Sequence, residues 1–237
     1  MTTEISFPRQ YSRTQRFSLG APRSFTVSPD GRRVVFLRSG GGAERANLLQ
    51  VLDLPESGAP SERVAADPVA LLGGDGEQLT AEERARRERS RESSAGVVGY
   101  ATDGEVTLAA FALSGRLMVA DLVGGAGGAG VRELGAAGPV LDPRPAPDGR
   151  PIAYANVGGE LRVVGADGSG DRALAVPDGD EVSWGQAEFI AQEEMDRSRG
   201  YWWSPDGDRL IAARVDNAPV QRWWIADPAN QIGRAHV

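Results

Sequence analysis

Residues 28–38 read SPDGRRVVFLR, a Pro-Asp-Gly turn that runs directly into a short strand of apolar and β-branched residues. The pattern returns as APDGRPIAY at 146–154 and as SPDGDRLIAAR at 204–214, and a weaker copy, ATDGEVTL, occupies 101–108. Proline presets φ at the second position of such a turn, and glycine supplies the positive φ that the turn requires. The chain is therefore built from repeated turn–strand units.

Each unit is followed by a second strand with its own turn signal, such as Leu161–Val164 after a Gly-Gly-Glu turn. The prolines at positions 147 and 205 are 58 residues apart, and those at 29 and 147 are 118 apart, close to two repeats. Repeats of roughly 40–50 residues with four short strands are typical of propeller blades. We therefore predict an all-β fold, a partial β-propeller over residues 1–230. Open blade edges should make such a partial ring a poor independent folder.

One segment, Leu79–Glu92, interrupts the β pattern with a helical sequence, LTAEERARRERSRE. Thr80 is placed to cap the helix and Glu83 to complete a capping box. Acidic residues begin the helix and arginines end it, as the helix dipole favours. Because the segment has almost no apolar stripe, we expect a solvated helical insertion, with i,i+4 ion pairs as the simplest explanation of its charges.

Composition bounds the function. The 237 residues carry a formal net charge of −7, which argues against a nucleic-acid partner. There is no cysteine, no apolar run long enough to span a membrane and no secretory leader, so we expect a cytoplasmic protein without a membrane partner. No zinc-type spacing and no phosphate-binding loop occurs either, which predicts neither a metal site nor a cofactor.

The last seven residues, QIGRAHV at 231–237, contain the only histidine of the chain, His236. Their ending, IGRAHV, is what a common sequencing-adapter sequence encodes when it is read in frame. We interpret 231–237 as a non-native tail, with a natural C-terminus as the alternative. On that interpretation no histidine remains. Since no Gly-x-Ser-x-Gly elbow occurs either, we predict no catalytic residue in this chain.

The stretch SWGQAEFIAQEEMDRSRGYWWS at 183–204 holds adjacent Glu193 and Glu194. Phe189, Ile190 and Met195 are candidate anchors for a short helix, on which the two carboxylates would project about 100° apart. Neighbouring carboxylates can hold a cation such as a free α-ammonium through charge-assisted hydrogen bonds. A bare Glu-Glu pair is otherwise a solvated acidic face.

Context favours the first interpretation. EFIAQEEMDR at 188–197, followed by GYWWSPDG at 200–207, resembles the double-glutamate motif of the dipeptidyl peptidase IV branch of the prolyl oligopeptidase family. ARVDNAPV at 213–220 and WIADPAN at 224–230 extend the likeness in the same order. The helix predicted at 79–92, followed by Gly-Val-Val-Gly, resembles the arginine-rich insertion of bacterial and cytosolic members. The similarity runs from about Phe17 to Asn230.

The resemblance implies an eight-bladed propeller followed by a C-terminal α/β-hydrolase domain, which is absent from this sequence. It implies that Glu193 and Glu194 grip the free N-terminus of a peptide substrate, so that the parent enzyme, a serine exopeptidase, removes dipeptides that often have Pro or Ala second. An arginine of the family orients the carbonyl of the first substrate residue; Arg91 or Arg89 matches by position, and Arg197 is a rival. Family members often dimerise, which makes a homodimer the implied assembly.

Two other functions fit the repeats. A non-catalytic propeller that binds peptides or proteins would carry the same Pro-Asp-Gly turns, but it would not need the double-glutamate run. An inactive homologue would bind peptide N-termini without cutting them. Sequence downstream of Asn230 separates these functions from that of an exopeptidase.

We predict that the 237-residue chain alone hydrolyses no peptide substrate, because it contains no nucleophile–histidine pair. The measurement is release of p-nitroaniline from Ala-Pro-p-nitroanilide by the purified chain. Turnover above the rate of a mock-purified preparation would contradict the prediction.

Overall fold

The structure is a computed structural model that describes residues 5–74, 76–124, 130–225 and 233–236. Its helices, in chain order, are α1 (Phe7–Arg13), α2 (Pro68–Leu71), α3 (Ala81–Arg89) and α4 (Phe189–Glu194). Its strands are β1 (Arg23–Val27), β2 (Arg33–Ser39), β3 (Ala46–Asp53), β4 (Ser61–Ala66), β5 (Ala95–Gly96), β6 (Ala101–Thr102), β7 (Leu108–Leu113), β8 (Arg116–Asp121), β9 (Val131–Leu134), β10 (Val140–Pro145), β11 (Pro151–Asn156), β12 (Leu161–Gly165), β13 (Arg172–Ala175), β14 (Val182–Trp184), β15 (Tyr201–Trp203), β16 (Leu210–Ala212), β17 (Arg214–Asp216), β18 (Arg222–Ile225) and β19 (Gly233–His236).

The strands form consecutive antiparallel sheets, which confirms the predicted all-β, partial β-propeller fold. Strands β1–β4 form the first sheet, with β5 added parallel to β3, and β6–β9 and β10–β13 form the next two. After these come the two-stranded pairings β14–β17, β15–β16 and β18–β19. Each four-stranded unit pairs its strands in chain order, as the blades of a propeller do.

The four turn motifs occupy equivalent places, each joining the first two strands of a unit: β1–β2, β6–β7, β10–β11 and β15–β16. The weak copy at 101–108 therefore marks the sheet that lies between the copies at 28–38 and 146–154. Spacing along the chain is uneven because two helical insertions separate the units. Helices α2 and α3 follow the first sheet, and α4 lies between β14 and β15.

The turns use the predicted chemistry, with one exception. Gly31, Gly149 and Gly207 have φ of 71°, 72° and 75°. In the weak copy the positive φ, 56°, falls on Val106 instead. Gly104 is needed for a different reason, since a Cβ there would lie 2.9 Å from the Pro147 carbonyl oxygen of the next unit. The turns of neighbouring units thus pack directly on one another.

The hydrophobic core lies between successive sheets rather than within one. Three clusters of buried residues follow one another along the chain. Their largest members are Leu37, Leu49 and Phe111 in the first, Leu117, Ile152 and Tyr154 in the second, and Leu161 and Tyr201 in the third.

Two tyrosines each tie one unit to the unit before it. The Tyr201 hydroxyl lies 2.8 Å from the Ala153 carbonyl oxygen and also reaches that of Asp142, and the Tyr100 hydroxyl lies 2.6 Å from the Ser24 carbonyl oxygen. Asp142 and Ser24 both have positive φ, at shifts of register in β10 and β1. Each tyrosine therefore satisfies backbone carbonyls that a bulge has freed from the ladder.

The predicted helix at 79–92 is confirmed as α3, and Thr80 caps it by accepting a hydrogen bond from the Glu83 N–H at 3.1 Å. The carboxylate of Glu83 goes to Arg86 and Arg87 rather than completing the capping box. The expected i,i+4 ion pairing is present between Glu83 and Arg87, and most of the helix is exposed or half-buried, but Arg87 itself is buried, with only 7% exposed. Ion pairing, not an apolar stripe, lets this helix pack against the domain.

Residues 233–236 of the segment interpreted as a non-native tail pair antiparallel with β18. That interpretation, and the domain limits at 1–230 and 231–237, stay predictions. None of the helices in the described ranges is long and apolar enough to cross a membrane.

Candidate functional site

A buried ion-pair network fixes helix α3 to the first sheet. The Arg87 guanidinium donates to Glu83 Oε1 at 2.8 Å and pairs with both carboxylate oxygens of Glu77. Glu77 Oε2 in turn accepts from the Gly96 N–H at 3.1 Å. The Arg87 and Glu77 side chains are 8% and 10% exposed, so these charges are largely shielded from water. Helix α3 is thus held in one orientation above β5.

The network sets the charge state of Glu83. Burial opposes its ionisation, but hydrogen bonds and charges from Arg86 and Arg87 outweigh burial and lower the pKa of Glu83. Glu92, just beyond the helix, behaves in the same way. Burial again opposes ionisation, and Arg23, 2.8 Å away, together with Ser94 lowers the pKa of Glu92. Both carboxylates are therefore ionised and already committed to protein partners.

Helix α4 lies in a loop that is closed tightly at its base. Gln186 and Arg199 form an isolated antiparallel bridge, and Gly200 lies against Gly185. A Cβ on Gly200 would lie 2.3 Å from the Gln186 nitrogen, closer than any side chain tolerates. The two ends of the loop are therefore pinned together, which limits where α4 can lie.

Polar contacts, rather than the predicted apolar anchors, hold α4. The Glu188 carboxylate caps it by accepting from the Ile190 and Ala191 N–H groups at 2.7 and 2.8 Å. Ala191 is fully buried, whereas Phe189, Ile190 and Met195 are exposed. The expectation that these three side chains anchor the helix was wrong, because only the small Ala191 side chain packs inward.

Helices α3 and α4 face each other across a cleft of about 390 Å³, which we call the α3–α4 cleft. Its lining includes Glu193 and Glu194 from α4 and Arg89 and Arg91 from the end of α3. Four of the five binding residues predicted from the sequence thus meet in one cavity, although 102 positions separate Arg91 from Glu193 in the chain. Glu92 and Asp196 also line it.

The four predicted residues in this cleft carry charges that are unpaired within the described part of the chain. Within the described part of the chain, Glu193, Glu194, Asp196, Arg89 and Arg91 form no ion pair and no side-chain hydrogen bond, whereas the neighbouring Arg86, Arg87 and Glu92 are all paired. Arg89 is half-buried, and its Nε atom is shielded from solvent without a hydrogen-bond partner. The cleft is therefore lined by carboxylates and guanidinium groups that have no polar partner in the described ranges.

Arg197, the remaining predicted residue, is not brought into this lining. Its Nη1 donates to the Arg199 carbonyl at 3.0 Å, and its Nη2 lies 3.6 Å from the Glu188 carboxylate. These contacts link the cap of α4 to the base of its loop. The structure thus gives Arg197 a role inside the loop.

A second cleft, of about 290 Å³, shares Arg89 and Gln192 with the first and is lined by Phe189, Ile190 and Val215. The Arg89 guanidinium carbon lies 5.6 Å from the centroid of the Phe189 ring, within cation–π range. Arg89 thus lines both clefts.

The chemistry available in the α3–α4 cleft is binding. Adjacent carboxylates accept hydrogen bonds from a cationic donor, and guanidinium groups donate to an oxygen acceptor. In the described ranges no group of three or more His, Asp or Glu side chains is arranged to hold a metal ion. A ligand with an ammonium group close to a carbonyl would match these groups, because carboxylates can accept from the ammonium and a guanidinium can donate to the carbonyl oxygen.

Sequence reasoning missed three features of the site. These are the burial of Arg87 against Glu77, the close approach at Gly200, and the stacking of Arg89 on Phe189. The Gly-Tyr-Trp-Trp run after the loop was a visible signal for the second. The other two join residues distant in sequence and leave no local pattern. Asp196, which lines the same cleft, could have been predicted, because it follows Glu194 by two positions in the sequence.

The bladed sheets define a propeller-type domain, and a charged cleft lies between two of its helical insertions. Comparison with known families makes the assignment specific. Residues 117–235, half of the chain, match the family described as dipeptidyl peptidase IV (DPP IV) N-terminal region. The chain belongs to this family, and it is the propeller portion of a DPP IV-type peptidase. Glu193 and Glu194 lie inside the matched range, and Arg89 and Arg91 precede it.

Replacing Glu83 with Gln should lower the free energy of unfolding by about 2 kcal/mol at pH 7, because it removes a charged acceptor from Arg86 and Arg87. Since the pKa of Glu83 is lowered in the folded state, its stabilisation is complete above its ordinary value of 4.5 and is lost as the pH falls through the folded pKa. The difference between wild type and variant should therefore shrink below about pH 4.5. Urea unfolding followed by tryptophan fluorescence measures it.

The matched control is Glu133→Gln, which breaks the exposed Arg116–Glu133 pair and should cost less than about 0.5 kcal/mol. A Glu83→Gln effect as small as the control's, or one that does not change with pH, would show that the Glu83 ion pairs do not stabilise the folded protein.

Proposed function

We propose that this chain is the substrate-gating propeller portion of a serine exopeptidase that removes N-terminal dipeptides, often with Pro or Ala second. In this proposal Glu193 and Glu194 bind the α-ammonium group of the substrate. The observation that carries it is that both glutamates, free of protein partners in the described ranges, share one cleft with Arg89 and Arg91. Family membership supports the same parent activity.

The chemistry of an α-ammonium suits this pair. The group has three N–H donors and a full positive charge, and two neighbouring carboxylates offer acceptors of opposite charge. Within the described ranges neither glutamate forms an ion pair with an arginine, whereas Glu92 at the same cleft is paired with Arg23. A substrate with a blocked N-terminus would leave both carboxylates without a donor and would lose these hydrogen bonds.

Anchoring the N-terminus fixes how far the substrate reaches. Binding energy from this remote contact would place the bond two residues along the chain at the nucleophile of the parent enzyme. The nucleophile, its histidine and its oxyanion site belong to a C-terminal α/β-hydrolase domain in this proposal. The cleft therefore supplies selection for dipeptide length and not bond cleavage.

Arg89 is the stronger candidate for the carbonyl of the first substrate residue. A guanidinium that is half-buried with a shielded, unsatisfied Nε loses solvation without gaining a partner, which is costly unless a ligand supplies the acceptor. Arg91 is exposed, so its charge remains solvated without a ligand. Arg197 is occupied with Glu188 and the Arg199 carbonyl.

The test is equilibrium binding of Ala-Pro-amide to the purified chain by calorimetry, compared with N-acetyl-Ala-Pro-amide. The free amine should bind at least about tenfold more tightly, since each charge-assisted hydrogen bond contributes roughly 1.5–3 kcal/mol. Glu193→Gln and Glu194→Gln should each weaken binding of the free-amine peptide about tenfold and leave binding of the acetylated peptide unchanged.

Glu82→Gln is the control, because Glu82 is exposed on α3 and does not line the cleft. Equal affinity for the free and the acetylated peptide, or an undiminished affinity in both glutamine variants, would refute the ammonium site. Binding that survives acetylation would favour a propeller that recognises peptides by other features.

A further inference from the structure

In the part of the chain that the structure describes, the charged group of Arg89 has no hydrogen bond or ion pair and stacks on the ring of Phe189. The guanidinium carbon lies 5.6 Å from the ring centroid, and no carboxylate pairs with Arg89 anywhere in the described ranges. Arginine has several rotatable bonds, so an unpaired guanidinium at a cleft wall would otherwise sample many positions. Stacking on a planar ring selects one of them.

Phe189 is the first residue of α4. Core packing does not explain why a large aromatic residue lies at this position. Its side chain is 39% exposed, although it is large and apolar, and the helix is held instead by the Glu188 cap and the buried Ala191. A phenylalanine that contributes little to the core but stacks on a lone arginine is placed for that contact.

Arg89 connects this contact to the proposed ammonium site. Phe189 lines the 290 Å³ cleft and Glu193 lines the α3–α4 cleft, whereas Arg89 lines both. The ring therefore contacts Arg89 from the neighbouring cleft and limits where its guanidinium can lie in the α3–α4 cleft. No hydrogen bond or ion pair between the described side chains of α3 and α4 does this instead.

We propose that Phe189 is a positioning residue, whose ring holds the Arg89 guanidinium where it can donate to the carbonyl oxygen of the first substrate residue. This inference rests on the proposed function. It assigns Phe189 no contact with the substrate. Its effect on binding passes entirely through Arg89, which is what the following experiment isolates.

The test compares two ligands on the full 237-residue chain: Ala-Pro-amide, and an alkene isostere in which C=C replaces the Ala–Pro amide bond. The isostere keeps the α-ammonium and lacks the carbonyl oxygen. Phe189→Leu removes the ring and keeps an apolar side chain, and it should weaken binding of Ala-Pro-amide about fivefold, the size of a cation–π contact at a partly exposed site. Its affinity for the isostere should not change.

Three further variants complete the design. Phe189→Trp keeps a stacking surface and should bind within about twofold of wild type. Ile190→Leu changes the neighbouring exposed residue, which stacks on no arginine, and should bind as wild type does. Arg89→Ala should lose at least as much affinity for Ala-Pro-amide as Phe189→Leu, and adding Phe189→Leu to it should cost nothing more.

An equal loss for both ligands in Phe189→Leu would overturn the inference, because it would mean that the ring supports the carboxylates or the fold. A loss that persists in the Arg89→Ala background, or no loss at all, would overturn it too. These outcomes are distinct from failure of the proposed function. In that case the glutamine variants would leave the affinity for both free-amine ligands unchanged, and the positioning role would fall with the site.

Discussion

The buried pairing of Arg87 with Glu77 and Glu83 is the interaction on which the candidate site depends. Helix α3 carries no apolar stripe, so burial of hydrophobic surface does not place it. The ion pairs do so, and through Gly96 they tie the helix to the first sheet. Without a fixed α3, Arg89 and Arg91 would have no defined position, and the cleft opposite Glu193 and Glu194 would lose one wall.

Such a network specifies geometry more than it adds stability. Burying an ion pair costs desolvation that the pairing only partly offsets, and removing one partner leaves an uncompensated charge. That asymmetry makes any other docking of α3 unfavourable, since Arg87 would keep Glu83, which lies on the same helix, but would lose Glu77. On the opposite wall, the contact between Gly200 and the Gly185–Gln186 backbone closes the α4 loop by steric fit. One wall is thus fixed by charge and the other by close packing.

The bladed architecture was predictable because its determinants are local. The Pro-Asp-Gly turns at 28–38, 146–154 and 204–214 fix backbone conformation within a few residues, and they mark the same strand connection in each unit. Helix α3 was predictable from Thr80 and its charge order for the same reason. Burial of Arg87 was not, since it depends on Glu77, which lies ten positions away and outside the helix. Gly104 was likewise expected to supply a positive φ, which Val106 has instead. Gly104 is needed because Pro147 of the next unit lies close to it.

The site shows the same division. Adjacent Glu193 and Glu194 stand out in the sequence, and the resemblance gave them a role, but only the fold brings Arg89 and Arg91 to the same cavity. Sequence position alone left three arginines open, and contacts separate them, since Arg197 is occupied by Glu188. The apolar residues of α4 misled prediction because apolar side chains usually indicate burial, whereas here Phe189 faces a cleft and stacks on a cation.

The most direct measurement is a crystal structure of this chain with Ala-Pro-amide bound. The account predicts that the α-ammonium nitrogen lies about 2.8 Å from carboxylate oxygens of both Glu193 and Glu194, with the alanine carbonyl directed at the Arg89 guanidinium. A peptide bound with its N-terminus away from these glutamates, or bound outside the α3–α4 cleft, would contradict it.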